Sequence, residues 1–312
     1  MMVAAVAYFL AFSAVAGQSG ARPKLYIRAK HDGCGAQAQQ AVHLVWVADA
    51  LGFEAGGIVG DAGRSSHGWA CDALLGGLGL PRLGADARAC ASAAPGTWRG
   101  LGPLAANASV ACVVYERDRL KLGPDLFRGD GARWTAPLAA RRAAAARGPD
   151  ALPPPSRKPR GAAVVAVHVR RGDVGPGNWT SRYAPNAWYA TLMASGALRR
   201  RFGGGPLEFR VYSEGLPADF SDLAALGAVL RLGGDPLQAV ADFLDADVLV
   251  LSKSSFSFVP ALFREGPVVF TSGRWVRPPL DAWVDARDLG LGPPAGRAPS
   301  RRQRGKPGHR SS

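Results

Sequence analysis

Cysteine is scarce in this chain, and its placement excludes more than it permits. The four residues, Cys34, Cys71, Cys90 and Cys112, contain no CxxC pair, so the paired-ligand spacing of a zinc site is missing. All four fall in the first third of the chain past its apolar start. An even count in a secreted chain reads as disulfides, with three connectivities open. Long apolar runs are also rare. No stretch after Val3–Val15 approaches the roughly 20 residues that a transmembrane helix needs, so membrane association is at most peripheral. Acidic residues are few, 24 against 38 Lys and Arg, which leaves a net charge of +14. That excess invites a nucleic-acid partner, but its distribution argues against one. Arg141–Gly161 carries +5 and Leu291–Ser312 carries +6, together +11 of the +14. Both stretches are rich in Pro, Gly, Ala and Ser and read as a linker and a disordered tail. The remaining body, at +3, lacks the basic folded face of a nucleic-acid domain.

The N-terminus reads as a secretory signal over residues 1–20. Val3–Val15 is apolar apart from Ser13, and Ala14-Val15-Ala16 is an A-x-A cleavage pattern. Asn107-Ala108-Ser109 and Asn178-Trp179-Thr180 are glycosylation sequons. These features place the chain in the lumen of the secretory pathway, Golgi or ER, or outside the cell. The 312 residues suffice for two medium domains. Five prolines between Pro149 and Pro159 mark the boundary. The expected organisation is an N-terminal domain over 22–148, a Pro-rich linker over 149–161, a C-terminal domain over 162–290 and a basic tail over 291–312.

Apolar periodicity predicts an α/β fold. In the first half, a strand over Lys24–Ala29 leads to a Gly-bearing turn, Gly33-Cys34-Gly35-Ala36-Gln37. A helix over Ala38–Leu51 and a strand over Phe53–Val59 follow. Val110–Tyr115 reads as a further strand and Thr135–Arg147 as a helix. The second half alternates more regularly. Strands are expected at Ala162–Val169, Leu207–Tyr212, Val229–Leu232, Val248–Leu251 and Val268–Phe270. Helices are expected at Asn186–Phe202, Asp219–Leu226, Pro236–Asp245 and Ser255–Arg264. That βαβ alternation is the pattern of a parallel sheet covered by helices.

Ligands of open α/β sheets sit outside the carboxyl ends of the strands, and three such ends here are polar. Ala162–Val167 runs into His168-Val169-Arg170-Arg171-Gly172-Asp173. An Arg at a strand tip can grip a phosphate with two parallel hydrogen bonds. Val211-Tyr212-Ser213-Glu214 brings a hydroxyl and a carboxylate past the next strand. Ser252-Lys253-Ser254-Ser255-Phe256-Ser257 leads a strand into a helix N-terminus, where hydroxyls and free N–H groups suit an anion. Each has a plainer reading: a solvated basic turn, an Arg-Gly-Asp adhesion tripeptide arising by chance, or a serine N-cap. Three polar ends on one sheet edge favour a binding crevice.

These peptides resemble a known set. His168-Val169-Arg170-Arg171-Gly172-Asp173 is similar to the H-x-R-x-G-D motif of the α1,2-, α1,6- and protein O-fucosyltransferases. Asp242 to Ser257 resembles their later block, which ends in S-x-S-S/T-F-S. Val211–Glu214 resembles the middle block, and Gly35-Ala36-Gln37 the N-terminal G-x-Q loop. The resemblance covers roughly Lys24–Leu51 and Ala162–Phe270, not Asp61–Pro159. It implies a GT-B-like architecture, two Rossmann-like domains with parallel sheets facing a cleft. It implies an inverting fucosyltransferase that moves fucose from GDP-fucose to a glycan or protein hydroxyl, with no metal or other cofactor. Arg170 would grip the donor's β-phosphate, with Asp173 bracing its loop, and these two are the expected catalytic residues. His168 would line the nucleotide pocket. Glu214 would face the guanine or ribose, and Ser254, Ser255 and Ser257 the phosphates, with Ser213 and Phe256 also in the GDP-fucose site. Gly33, Gly35 and Gln37 would approach from the facing domain.

One departure stands out. Some branches carry a carboxylate eight residues after the motif Arg, where this chain has Asn178. Asp32 is one alternative base, and a loose transition state needing no base is another. That departure keeps open a non-catalytic, lectin-like or nucleotide-sugar-binding protein of the same fold. Asp245-Ala246-Asp247 is a D-x-D, but it precedes its apolar strand, where the metal-binding version follows one. Trp188, Leu192 and Leu198 form a helical stripe better read as core than as an acceptor platform. Trp179 and Trp275 sit in loops where a sugar could stack.

Overall fold

A computed structural model describes residues 22–28, 33–59, 71–93, 101–107, 109–116, 131–178, 181–202, 204–271 and 283–292. The expected signal segment, the tail beyond Gly292, Asp32, Trp179 and Trp275 lie outside the described residues.

The first half builds a four-stranded parallel sheet. Its strands are β1 (Lys24–Arg28), β2 (Glu54–Val59), β3 (Ala91–Ala93) and β4 (Cys112–Glu116), in the order β2-β1-β4-β3. The helices are α1 (Cys34–Leu51), α2 (Cys71–Gly77), α3 (Gly102–Ala105) and α4 (Gly131–Ala145). Helix α1 begins four residues before the expected start, so the predicted Gly turn is mostly its first turn. The N–H groups of Ala36 and Gln37 both donate to Gly33 O. A disulfide between Cys34 and Cys71 ties that turn to α2, and a second joins Cys90, just before β3, to Cys112, the first residue of β4. Of the three possible connectivities this is the sequential one. Helix α1 is apolar nearly all round and buried nearly all round, as expected of a helix packed on two sides.

The second half builds a six-stranded parallel sheet in the order β10-β9-β8-β5-β6-β7. The strands are β5 (Ala163–His168), β6 (Leu207–Ser213), β7 (Val229–Leu232), β8 (Val248–Val250), β9 (Val268–Phe270) and β10 (Trp283–Asp285). The helices are α5 (Asn186–Ala194), α6 (Ala197–Phe202), α7 (Ser221–Ala225), α8 (Pro236–Asp245) and α9 (Ser255–Ala261). Central strand β5 is buried on both faces. Val164 and Ala166 join one apolar cluster, Val165 and Val167 the other, the period-two division of a strand covered from both sides. The single helix expected over Asn186–Phe202 is two helices. Gly196 has a φ of 65°, and Ser195 Oγ accepts from Ala197 N at 3.2 Å to start the second. Strand β10 was not foreseen. Trp188, Leu192 and Leu198 are buried as core.

The Pro-rich segment is no loose linker. Asp150 is ion-paired to Arg82 of the N-terminal unit. A few residues on, Ser156 is bonded to Asp242 of α8. Pro154 O accepts from Gln238 Nε2 at 3.0 Å, and Arg157 O from buried Arg210 at 2.7 Å. Lys158 reaches Asp247 at 2.9 Å and Asp245 at 3.5 Å, which takes up the carboxylates of the D-x-D. The carboxylates of Asp242, Asp245 and Asp247 and the N–H donors of Gln238 and Arg210 in the C-terminal unit hold this stretch, and one of its cations, Lys158, is spent there.

Candidate active site

The chain order of the second sheet reverses at β5. Strands β6 and β7 extend to one side of it and β8 begins the other. A crevice opens beyond the carboxyl ends of the strands at such a switch point. Here it is flanked by the loop after β5 and the loop after β8. His168 Nδ1 and Ser252 Oγ meet across it at 2.8 Å.

The facing wall is the start of α1. A Cβ on Gly35 would lie 2.6 Å from Phe256 N and 2.9 Å from its Cα, so the first turns of α1 and α9 meet backbone to backbone. Gln39 Oε1 accepts from Ser255 Oγ at 2.8 Å across the same junction. Between these walls lies a cleft of about 760 Å³. Two Rossmann-like domains with parallel sheets, meeting at a cleft by their switch points, define the GT-B class of architecture.

Ten of the twelve predicted site residues line this cleft: Gly33, Gly35, His168, Arg170, Asp173, Ser213, Glu214, Ser254, Ser255 and Phe256. Two do not. Gln37 is buried in α1, and Gln39 lines the cleft in its place, because the helix starts early and turns residue 37 inward. Ser257 is fully buried and its hydroxyl donates to Ser254 O at 3.4 Å.

Arg170 is ion-paired through one terminal nitrogen to Asp173. The pair aligns the guanidinium and leaves its other N–H groups for a ligand. Neighbouring Arg171 is spent on the scaffold. It donates to Ala184 O at 2.9 Å and Asn186 Oδ1 at 2.5 Å, and it lies 4.6 Å over the Tyr183 ring. Asn178 donates to Asp173 O at 2.8 Å and closes a tight turn with Gly175. It is thus a brace for the Arg loop. Gly172 has a φ of 76°, and the space of its missing Cβ is filled by the Glu214 carboxylate.

His168 is 5% exposed and is boxed by the rings of Phe243 and Phe256, with centroids at 5.7 and 5.4 Å. Burial, then the charge of Arg170, pushes its imidazole down to about 3, so it is neutral near neutral pH. Ser213 donates its hydroxyl to Val169 O at 2.6 Å, a tie between strand ends. Ser254 is the N-cap of α9 and accepts from Phe256 N at 3.3 Å, the plainer reading of that serine.

Several lining residues were not foreseen: Tyr212, Arg182, Asp242 and the loop from Arg231 to Pro236. Asp242 is buried and fully engaged. It accepts from Ser156 N at 2.6 Å, Ser156 Oγ at 2.8 Å, Tyr212 OH at 2.9 Å and Gln238 Nε2 at 3.0 Å. An acid on the apolar stripe of an amphipathic helix was the available signal. Gly233-Gly234-Asp235-Pro236 after β7 is a fourth polar strand end. Among the described residues four carboxylates line the cleft. Asp173, Asp235 and Asp242 hold a cation or N–H and O–H donors. Glu214 alone has no side-chain partner among the described residues.

No group of three or more His, Cys, Asp or Glu among the described residues could hold a metal ion. No described helix is long and apolar enough to cross a membrane. The two disulfides point to an oxidising compartment.

No protein-family model matches the chain, and no curated protein matches it in sequence. Among solved structures it is similar to the ADP-heptose LPS heptosyltransferase II of E. coli, at 15% identity, 84% of this chain, 89% of that one and a TM-score of 0.41. It is similar to E. coli heptosyltransferase WaaC with ADP at 12% identity, 85% and 91% coverage and a TM-score of 0.38. A glycosyl transferase of family 9 from Veillonella parvula aligns at 9% identity, 86% of each chain and a TM-score of 0.33. Likeness at this level carries no argument, and the fold and site stand on this chain's own strands and residues.

Proposed function

We propose that the protein is an inverting, metal-independent glycosyltransferase that moves fucose from GDP-fucose to a hydroxyl of a glycan or protein in the secretory pathway. The observation that carries the reading is Arg170. It stands at the tip of a central parallel strand, aligned by Asp173, at the switch point of one domain and facing the helix start of another. The peptide that puts it there resembles the H-x-R-x-G-D motif.

Breaking the sugar C1–O bond leaves negative charge on a diphosphate and positive charge on the ring. A fixed guanidinium stabilises that leaving group as it forms. Neutral His168 and the ring of Phe256 supply a dry floor, which strengthens the Arg170 field. Glu214, the cleft carboxylate without a side-chain partner among the described residues, accepts from donor hydroxyls or base N–H groups. The acceptor hydroxyl arrives from the side of α1 and attacks the opposite face of the sugar; the new C1–O bond forms as the bond to the diphosphate breaks, GDP leaves with the bonding pair, and the hydroxyl proton passes to solvent water. A second reading is favoured by Asn178, which stands where some branches carry a carboxylate. It is a lectin-like protein that binds the nucleotide sugar without transfer.

Calorimetric titration with GDP-fucose and GDP, with EDTA present, tests the donor site. Arg170→Ala should weaken both by about 10- to 100-fold, the worth of one charge-assisted pair, at unchanged thermal stability. Equal affinity in the variant, or no binding to the wild type, sinks the assignment. Binding without transfer to any acceptor selects the lectin-like reading.

A further inference from the structure

A second cavity, of about 550 Å³, opens beside the cleft on the outer part of the C-terminal sheet. Among the described residues it is lined by Arg157, Lys158, Pro159, Arg160, Glu208, Arg210, Val229 and Arg231, five cations against one carboxylate. The strands explain the convergence. Arg210 pairs with Val229 and Tyr212 with Arg231 in the β6–β7 ladder. Alternate residues share a face, so Glu208, Arg210, Val229 and Arg231 all point one way. The Pro-rich segment, pinned as described above, adds Arg157 and Arg160 to the rim.

The cations differ in what they have left to give. Arg210 is buried and committed to Glu208 at 2.7 Å and to the carbonyls of Ser156 and Arg157. Lys158 is held by Asp245 and Asp247. Arg157, Arg160 and Arg231 are exposed and have no carboxylate partner among the described residues. Arg231 lines both cavities, so one exposed cation is common to the second cavity and the cleft.

We propose that Arg157, Arg160 and Arg231 form a docking surface for an anionic glycan, sulfated or carboxylated, whose end enters the cleft over Arg231. What happens at the cleft rests on the glycosyltransferase reading, and the binding rests on this cavity's own residues. Charged sugars suit it better than nucleic acid. Among the described residues no aromatic side chain lines the cavity, so bases find no stacking platform there, whereas guanidinium forks match sulfate and carboxylate oxygens.

The test titrates the full chain at physiological salt with sulfated, uronate and neutral oligosaccharides of equal length and with a single-stranded oligonucleotide. The sulfated or the uronate chain should bind at least about tenfold more tightly than the neutral one, and the tighter of the two names the anion. Arg157→Ala with Arg160→Ala should cost about tenfold in that affinity and leave GDP affinity and thermal stability unchanged. Arg160→Glu, in an exposed turn, repeats the test if the double variant melts early. An unchanged affinity in both variants, no preference for anionic sugars, or tighter binding of the oligonucleotide overturns the proposal. If nucleotide sugar fails to bind while anionic glycan binds through Arg157 and Arg160, the transferase reading falls and this surface stands.

Discussion

Acidification measures how dry the floor of the cleft is. His168 lies under Phe243 and Phe256, and burial followed by the charge of Arg170 lowers its pKa from 6.5 to about 3. The folded value is depressed, so between those two pH values the unfolded chain binds a proton that the folded chain refuses. Stability is therefore lost as pH falls through 6.5, and the loss levels off only near 3. At pH 7 the contribution is small. By about pH 5 the linkage relation gives a loss of about 2 kcal/mol from this one group. The comparison is His168→Gln, which keeps a polar side chain and cannot titrate. Urea denaturation followed by circular dichroism, run at both pH values, should show the wild type losing about 2 kcal/mol more than the variant. Any constant cost of the substitution cancels in that difference. Parallel losses in the two proteins would mean that His168 takes up its proton in the folded state. The floor would then be wet, and the strengthening of Arg170 by its surroundings would fail with it.

Three further outcomes follow from the geometry. Gly172→Ala puts a side chain at a φ of 76°, costing about 1–2 kcal/mol, and pushes the Glu214 carboxylate off its seat; urea titration and GDP-fucose affinity should both fall. Gly35→Ala gains about 1 kcal/mol of helix propensity yet drives a Cβ into the backbone of Phe256, so a lower melting temperature is expected, and a rise would show that α1 and α9 do not pack as described. Asp242→Ala strips the acceptor from Ser156, Tyr212 and Gln238, with an expected loss of about 3 kcal/mol by chemical denaturation, and a loss under 1 kcal/mol would refute the clasp.

The parallel strands of the C-terminal domain were legible because their apolar runs are short and bounded by Gly, Pro and polar ends. Val229–Leu232, Pro236–Asp245 and Val268–Phe270 fall where the pattern puts them. Helix boundaries were less so. The early start of α1 is held by a disulfide and by packing on α9, neither of which has a local signature, and that shift moved Gln37 inward and brought Gln39 to the cleft. The break at Ser195-Gly196 was written in the sequence as a glycine after a capping serine. At the site, charged strand ends were readable. The roles of Asp242, Arg231 and Tyr212 were not, because they depend on which segment lies against α8 and β7. The Pro-rich stretch looked like a solvated linker from its composition, and only tertiary contacts reveal the acceptors that hold it.

That stretch is short and stiff. Between Asp150, moored to the first domain by Arg82, and Ser156, moored to the second by Asp242, stand Pro153, Pro154 and Pro155. Fixed φ angles leave little slack, and the span is at most about 20 Å. A tether of this kind is a strut, not a slack loop. The strut therefore holds its two moorings at a nearly fixed separation, and one of them, the Asp242 carboxylate, is part of the cleft lining.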